Sequence, residues 1–201
     1  MNDTIFRGSL ALVSGLLSAI RLYYGWRARR IGGRVIARRA AVGQTALLWL
    51  TGGSAALAAI LYIVAPRRIR WAALPLPTWA RWLGVGLGGV TALLFGWVHH
   101  ALGANWSMPT EIKERQTLVT SGPYRWVRHP MYTTIFVWAT AFLLMSANWL
   151  VGGTWFSLGL VASGLVQVEE ATLIETFGAT YRAYMRPTGR RAGGADGDIG
   201  H

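Results

Sequence analysis

A chain of 201 residues is long enough for one soluble domain or one compact membrane bundle, and its composition favours the bundle: 53% of residues are hydrophobic and 14% charged, against roughly 25% charged in an average soluble protein. The formal charge is +12, yet the arginines fall between long apolar runs rather than on a soluble face, which argues against nucleic acid as a partner and for membrane topology. The absence of cysteine excludes disulfides, thiolate metal sites and a cysteine nucleophile.

A membrane-spanning helix needs about 20 mostly apolar residues. The first such run covers 4–24, with Arg7 and Arg21 near enough to its ends to extend toward the headgroups. Asp3 and the lack of a basic stretch before it predict a retained span over 1–24 rather than a cleaved leader. A second run, 41–65, stops at Pro66. The third, 82–102, holds Gly84, Gly86, Gly88 and Gly89, a density of small residues that predicts close helix–helix packing. The fourth, 131–168, is broken at 146–149 and fits a hairpin of two short helices. The expected fold is therefore all-α and integral to the membrane, with about five transmembrane helices and the last two forming a hairpin. A C-terminal amphipathic cytoplasmic helix follows: Leu173, Ile174, Phe177, Tyr181 and Tyr184 recur at helical spacing, with Gly178 ending one short helix and beginning another. The tail 189–201 cannot bury apolar surface and is expected to be disordered. This divides the chain into N-terminal helices with a basic loop (1–80), a core holding the site (81–188) and the tail.

The arginines set an orientation. The loop 25–40 holds Arg27, Arg29, Arg30, Arg34, Arg38 and Arg39 with no acid, against Arg67, Arg68 and Arg70 in the next loop. The excess places 25–40, 103–129 and the C-terminal segment in the cytoplasm.

Candidate chemistry gathers at 118–132, which reads Leu-Val-Thr-Ser-Gly-Pro-Tyr-Arg-Trp-Val-Arg-His-Pro-Met-Tyr. Pro130 suits the first position of a helix, whose N-terminal N–H groups attract an anion; Arg125 and Arg128 add positive charge. The alternative is that Arg128 and His129 anchor the helix in the headgroup layer. Glu169 and Glu170 close an apolar run, where carboxylates are costly unless hydrated, paired or functional. Adjacent helical side chains point about 100° apart, so one glutamate can face a cationic ligand while the other pairs with Arg125 or Arg128. His99 and His100 lack the three- or four-residue spacing of helical metal ligands, so no metal is expected and a core or interfacial role is preferred. Most of the eleven tryptophans fit interface belts and packing.

Those two clusters, with Leu102-Gly-Ala-Asn-Trp-Ser107 before them and Phe177-Gly178-x-x-Tyr181-x-x-Tyr184 after, resemble the isoprenylcysteine carboxyl methyltransferase and phospholipid methyltransferase family over about 102–191. The first eighty or so residues match only as generic spans. The resemblance implies an integral membrane methyltransferase using S-adenosylmethionine, open to the cytosol for the donor and to the bilayer for a lipophilic or small amphiphilic acceptor (isoprenylcysteine carboxylate, lipid amine or thiol). It implies donor contacts at Thr117, Leu118, Val119, Tyr124, His129, Pro130, Met131, Tyr132 and Glu169, and substrate contacts at Arg125, Glu170 and Arg186. Methyl transfer from a sulfonium needs positioning and exclusion of water rather than a base, so Tyr132 and Glu169 are the expected catalytic pair. One departure stands out. Family members acting on a prenylated C-terminal carboxylate have an arginine one turn before the paired glutamates, where this chain has Leu165. Rival readings are a membrane reductase of the sterol-reductase type and a non-catalytic lipid-binding protein. The expected location is the cytoplasmic (inner) membrane, with the site facing the cytosol.

Overall fold

The structure, a computed structural model, describes residues 2–38, 42–106 and 111–188. Arg39, Ser107 and the tail expected to be disordered, 189–201, lie outside them. The body is helical: α1 (Asn2–Ile31), α2 (Val42–Val64), α3 (Thr78–Leu102), α4 (Pro130–Ser146), α5 (Trp149–Ser163) and α6 (Val166–Met185). Four helical stretches, Asp3–Ile31, Val42–Val64, Thr78–Asn105 and Trp149–Met185, are long and apolar enough to cross a bilayer. The 17 residues of α4 rise about 25 Å, and α4 is the apolar partner of α5 in the expected hairpin. The chain is thus an all-α integral membrane protein.

The hairpin forms where the sequence breaks its apolar run. Ala147 adopts a left-handed conformation (φ 46°) that ends α4. Asn148 then caps α5, its Oδ1 accepting from Leu150 N at 3.1 Å and Val151 N at 3.3 Å, which satisfies two otherwise orphaned donors. Its Nδ2 donates to Ile69 O at 2.9 Å, tying the hairpin tip to the 3-10 turn at Pro66–Ala72.

Two of the five α3 glycines explain how α3 and α4 approach. A Cβ on Gly84 would lie 2.6 Å from Met145 N, and one on Gly88 would lie 2.9 Å from Met145 Cε and 3.2 Å from Val13. Gly86 and Gly89 face open space, so the close-packing stripe is the i, i+4 pair. Around it Leu10, Val13, Leu17, Tyr62, Phe95, Phe142, Met145 and Val151 form a core shared by α1–α5.

Polar clamps hold both ends of the bundle. Away from the site, Arg81 donates to Asp3 Oδ1 and the Tyr62 hydroxyl, each at 2.8 Å, and to Met145 O at 3.1 Å. At the other end the loop expected over 25–40 is partly helix. The α1 helix runs on to Ile31, so Arg27, Arg29 and Arg30 sit in its last turns, where cations favour the helix C-terminus. Beyond it β1 (Val35–Arg38) pairs antiparallel with β2 (Glu111–Lys113), the one addition to the all-α expectation among the described residues. Lys113, buried, donates to the carbonyls of Ala28, Ala104 and Trp106. The only lysine thereby joins the ends of α1 and α3.

Candidate active site

The start of α4 and the start of α6 meet at this clamped end. Pro130 opens α4, and no side chain caps its first turn. The adjacent glutamates on α6 diverge as helix geometry requires. Glu170 turns inward and pairs with Arg128, Nε to Oε1 at 3.0 Å, with the two side chains 5% and 2% exposed. Glu169, 29% exposed, accepts a hydrogen bond from the Tyr132 hydroxyl at 2.7 Å. The His129 ring spans both, with Nδ1 3.5 Å from Glu169 and Nε2 3.3 Å from Glu170. Of the two arginines open as partners in the sequence, Arg128 is the one used.

Arg128 also fixes the far end of α6. Its Nη1 donates to Met185 O at 2.9 Å and to Thr188 O. Fifteen residues of straight helix would separate Glu170 from Met185 by about 22 Å, so one guanidinium reaches both only because the segment folds back. The bend is at Gly178 (φ 54°, ψ −126°), a conformation that disfavours any residue with a Cβ. After it, Tyr184 donates to Tyr124 O at 2.6 Å; across the two sides of the bend Leu173, Ile174, Phe177, Tyr181 and Tyr184 are buried or half-buried while Glu175 and Arg182 stay exposed, as the amphipathic pattern requires.

These elements enclose a cavity of about 590 Å³, within the range of roughly 300–1,000 Å³ usual for small-molecule sites. Thr117, Leu118, Val119, Tyr124, His129, Met131, Tyr132 and Glu169 line it. Pro130 does not, although it sets the helix that carries its neighbours. Arg125 and Arg186 are exposed and stand outside the wall, and Glu170 is behind it, held by Arg128. None of these three therefore lines the cavity. Leu165 is buried and also absent from the wall. Asn105 orders the segment before α4, its Oδ1 accepting from Thr117 N at 2.8 Å. Burial, reinforced by Glu169 and Tyr184, pushes the Tyr124 hydroxyl well above the ordinary tyrosine range, so it stays a neutral donor.

Below the polar end the wall becomes apolar. Ile135, Trp138, Trp155 and Leu158 line it, and the two indoles stack at 4.1 Å and 24°. From Tyr132 to Trp138 the wall descends about 9 Å along α4. Sequence reasoning missed the opposing side: Leu48, Trp49, Gly52, Gly53 and Ala56 of α2 complete the cavity. Their i, i+4 spacing with two glycines was the available signal. His99 takes the expected core role, buried with Nδ1 2.9 Å from Phe95 O, while exposed His100 lies 3.3 Å from the Tyr24 hydroxyl.

The family model of the isoprenylcysteine carboxyl methyltransferase (ICMT) family matches residues 85–175. That segment starts inside α3, earlier than the resemblance read from the motifs, and ends before Phe177 and Arg186. Among curated relatives, protein-S-isoprenylcysteine O-methyltransferase of Xenopus laevis is 38% identical over 119 residues, 54% of this chain and 40% of that protein. The protein of the same name from Dictyostelium discoideum is 31% identical over 107 residues (49% and 45%), and that from Homo sapiens 34% over 88 residues (42% and 31%). The chain spans less than half the length of each of these relatives. Over residues 85–175 the chain is thus similar to the isoprenylcysteine carboxyl methyltransferase family.

Proposed function

We propose that the protein is an S-adenosylmethionine-dependent methyltransferase of the cytoplasmic membrane. It acts on a lipophilic or small amphiphilic acceptor: an isoprenylcysteine carboxylate, a lipid amine or a thiol. The observation that carries this reading is the Tyr132–Glu169 pair, 2.7 Å apart, at the polar end of a cavity whose remainder is apolar. With Glu170 neutralised by Arg128, Glu169 carries the one carboxylate among the described residues that line the cavity. A cationic ligand fits that wall. The Tyr181 hydroxyl, buried in the same wall without a hydrogen-bond partner, offers a further polar contact, since a buried polar atom left unmatched is costly.

The donor supplies a methyl group already activated by its positive sulfur. Glu169 opposes that charge or binds the donor's ammonium or ribose hydroxyls, and Tyr132 holds Glu169 in place. The uncapped first turn of α4, at His129, Pro130 and Met131, is suited to the donor's carboxylate. Thr117, Leu118, Val119 and Tyr124 frame the donor from the preceding segment. The apolar lower wall excludes water and receives the acceptor's apolar part. Tyr132 and Glu169 thus act by positioning: a carboxylate or a neutral amine is methylated with no proton removed, and a thiol reacts as the thiolate after its proton has gone to water.

Orientation follows the basic residues. The site's end carries Arg27, Arg29, Arg30, Arg34, Lys113 and Arg115, and the far end Arg7, Arg67, Arg68, Arg70 and Arg81, of which Arg81 is paired with Asp3. The excess favours a cytosolic site.

The test is mass spectrometry of lipids and small thiols after the detergent-purified protein is incubated with membrane extract and isotopically labelled methyl donor. A labelled lipophilic product, lost in Glu169→Gln, is expected. No donor binding and no labelled product would overturn the reading, and NADPH binding in its place would support the reductase.

A further inference from the structure

The apolar end of the cavity stops at one level on the four helices that reach it. The deepest wall residues are Ala56 of α2, Phe95 of α3, Trp138 of α4 and Trp155 of α5. One turn further down, Ala59, Ala92, Phe142 and Val151 belong to the buried core, and none of them lines the cavity. Aromatic rings close the bottom. Trp138 stacks on Trp155 at 4.1 Å, each indole meets Phe142 edge to face at 5.6 Å, and Phe95 packs on Trp138 at 5.6 Å. Phe142, beneath them, is fully buried. From Tyr132 to Trp138 the wall falls about 9 Å, and from Ala162 to Trp155 about 10 Å, so two walls give the same depth.

The volume points the same way. About 590 Å³ is usual for one small-molecule ligand, yet a methyltransferase must hold donor and acceptor there together. Resting on the methyltransferase reading above, we infer that the acceptor is a short-tailed amphiphile and that Trp138 and Trp155 set the length of its tail. An extended chain advances about 1.2 Å per bond, so a depth of about 9–10 Å takes a tail of about eight carbons. A longer tail would have to push apart a ring cluster that is already close-packed, which overpacks the core. Its other course is to bend out of the bundle beside Trp49 and Gly53 of α2, which line the cavity and are exposed. The selection falls on the tail alone: the head group stays beside Tyr132 and Glu169 whichever nucleophile it bears.

The experiment uses the full chain in detergent and three probe series, S-alkyl-N-acetylcysteines, alkylamines and alkanethiols, each with butyl, octyl, dodecyl and hexadecyl tails. Tail preference is read in methyl transfer from labelled donor and in calorimetric binding to the donor-loaded protein, so it does not depend on which head group reacts. Comparing each variant with the wild type on the same probes cancels partition into detergent. Octyl should be the preferred tail, with dodecyl and hexadecyl weaker by about tenfold or more, the discrimination a hydrophobic pocket makes against a misfit of one methylene. Trp138→Ala removes a ring from the floor and should raise the dodecyl-to-octyl ratio by about tenfold. Should loss of that ring unfold the protein, Ile135→Phe tests the same limit from above. Ile135 lines the wall one turn nearer Tyr132, and a ring there should move the preference from octyl to butyl. A loss equal at every tail length would make these packing residues and overturn the inference. Wild-type preference that rises through hexadecyl and is unchanged in Trp138→Ala would mean that the tail leaves beside α2; it would overturn the inference with the methyltransferase reading intact. Failure to bind donor would refute that reading itself.

Discussion

Replacing Arg128 by methionine tests the division of labour between the two glutamates. Methionine keeps much of the side chain's reach but removes the charge and five donors. Glu170, 5% exposed, then loses the guanidinium 3.0 Å away, and the carbonyls of Met185 and Thr188 lose a donor. Breaking a buried pair from one side costs about 3–5 kcal/mol, because the remaining charge stays buried. In a chain of this size each kcal/mol corresponds to roughly 2–4 °C in Tm, so the melting temperature should fall by about 6–20 °C. Arg128→Met with Glu170→Met leaves no lone charge and should recover most of the loss, since a buried pair and an apolar substitute of similar volume are close in stability. The assay is thermal unfolding by circular dichroism in one detergent. A fall of less than about 2 °C in the single variant, or a double variant no more stable than the single, would refute the reasoning.

Three further outcomes follow from the geometry. Gly84→Ala forces a Cβ to within 2.6 Å of Met145 N and should cost about 1–3 kcal/mol, whereas Gly86→Ala, in open space, should be neutral or slightly stabilising by thermal melts. Gly178→Ala meets no atom within 4 Å but must hold a φ of 54°, so the backbone alone should cost about 1–3 kcal/mol and donor affinity should fall with the bend. In the cysteine-free chain, a cysteine replacing exposed Arg34 should be shielded from an impermeant thiol reagent in intact cells, while one replacing exposed Arg68 should label; the reverse pattern would invert the orientation.

Much of the helical frame was legible in the sequence because it is set locally. Long apolar runs give the spans, Asn148 is a helix cap written into the break at 146–149, and Gly178 marks the bend of α6. The split between Glu169 and Glu170 followed from the angle between adjacent helical side chains, although which faced the cavity did not. What stayed hidden depends on contacts between distant segments. The pairing of β1 with β2 joins residues more than seventy positions apart in strands too short to show alternation. The extension of α1 through Arg27–Arg30 reads in sequence as a basic loop, yet the helix continues because Lys113 secures its last turn. Arg125 and Arg186 look as well placed as Arg128 when only their neighbours are known; the fold-back of α6 decides that Arg128 alone sits between Glu170 and the end of that helix. The contribution of α2 to the cavity was only half legible, since the i, i+4 spacing of residues 48–56 marks a face but does not indicate which helix it meets.

Isothermal titration of S-adenosylmethionine into the purified wild-type protein and Glu169→Gln tests the central claim most directly. The account predicts that the wild type binds and that the variant loses about ten- to hundredfold in affinity while its Tm stays within about 2 °C, because Glu169 is part-exposed and faces the cavity. Unchanged affinity in Glu169→Gln would contradict it.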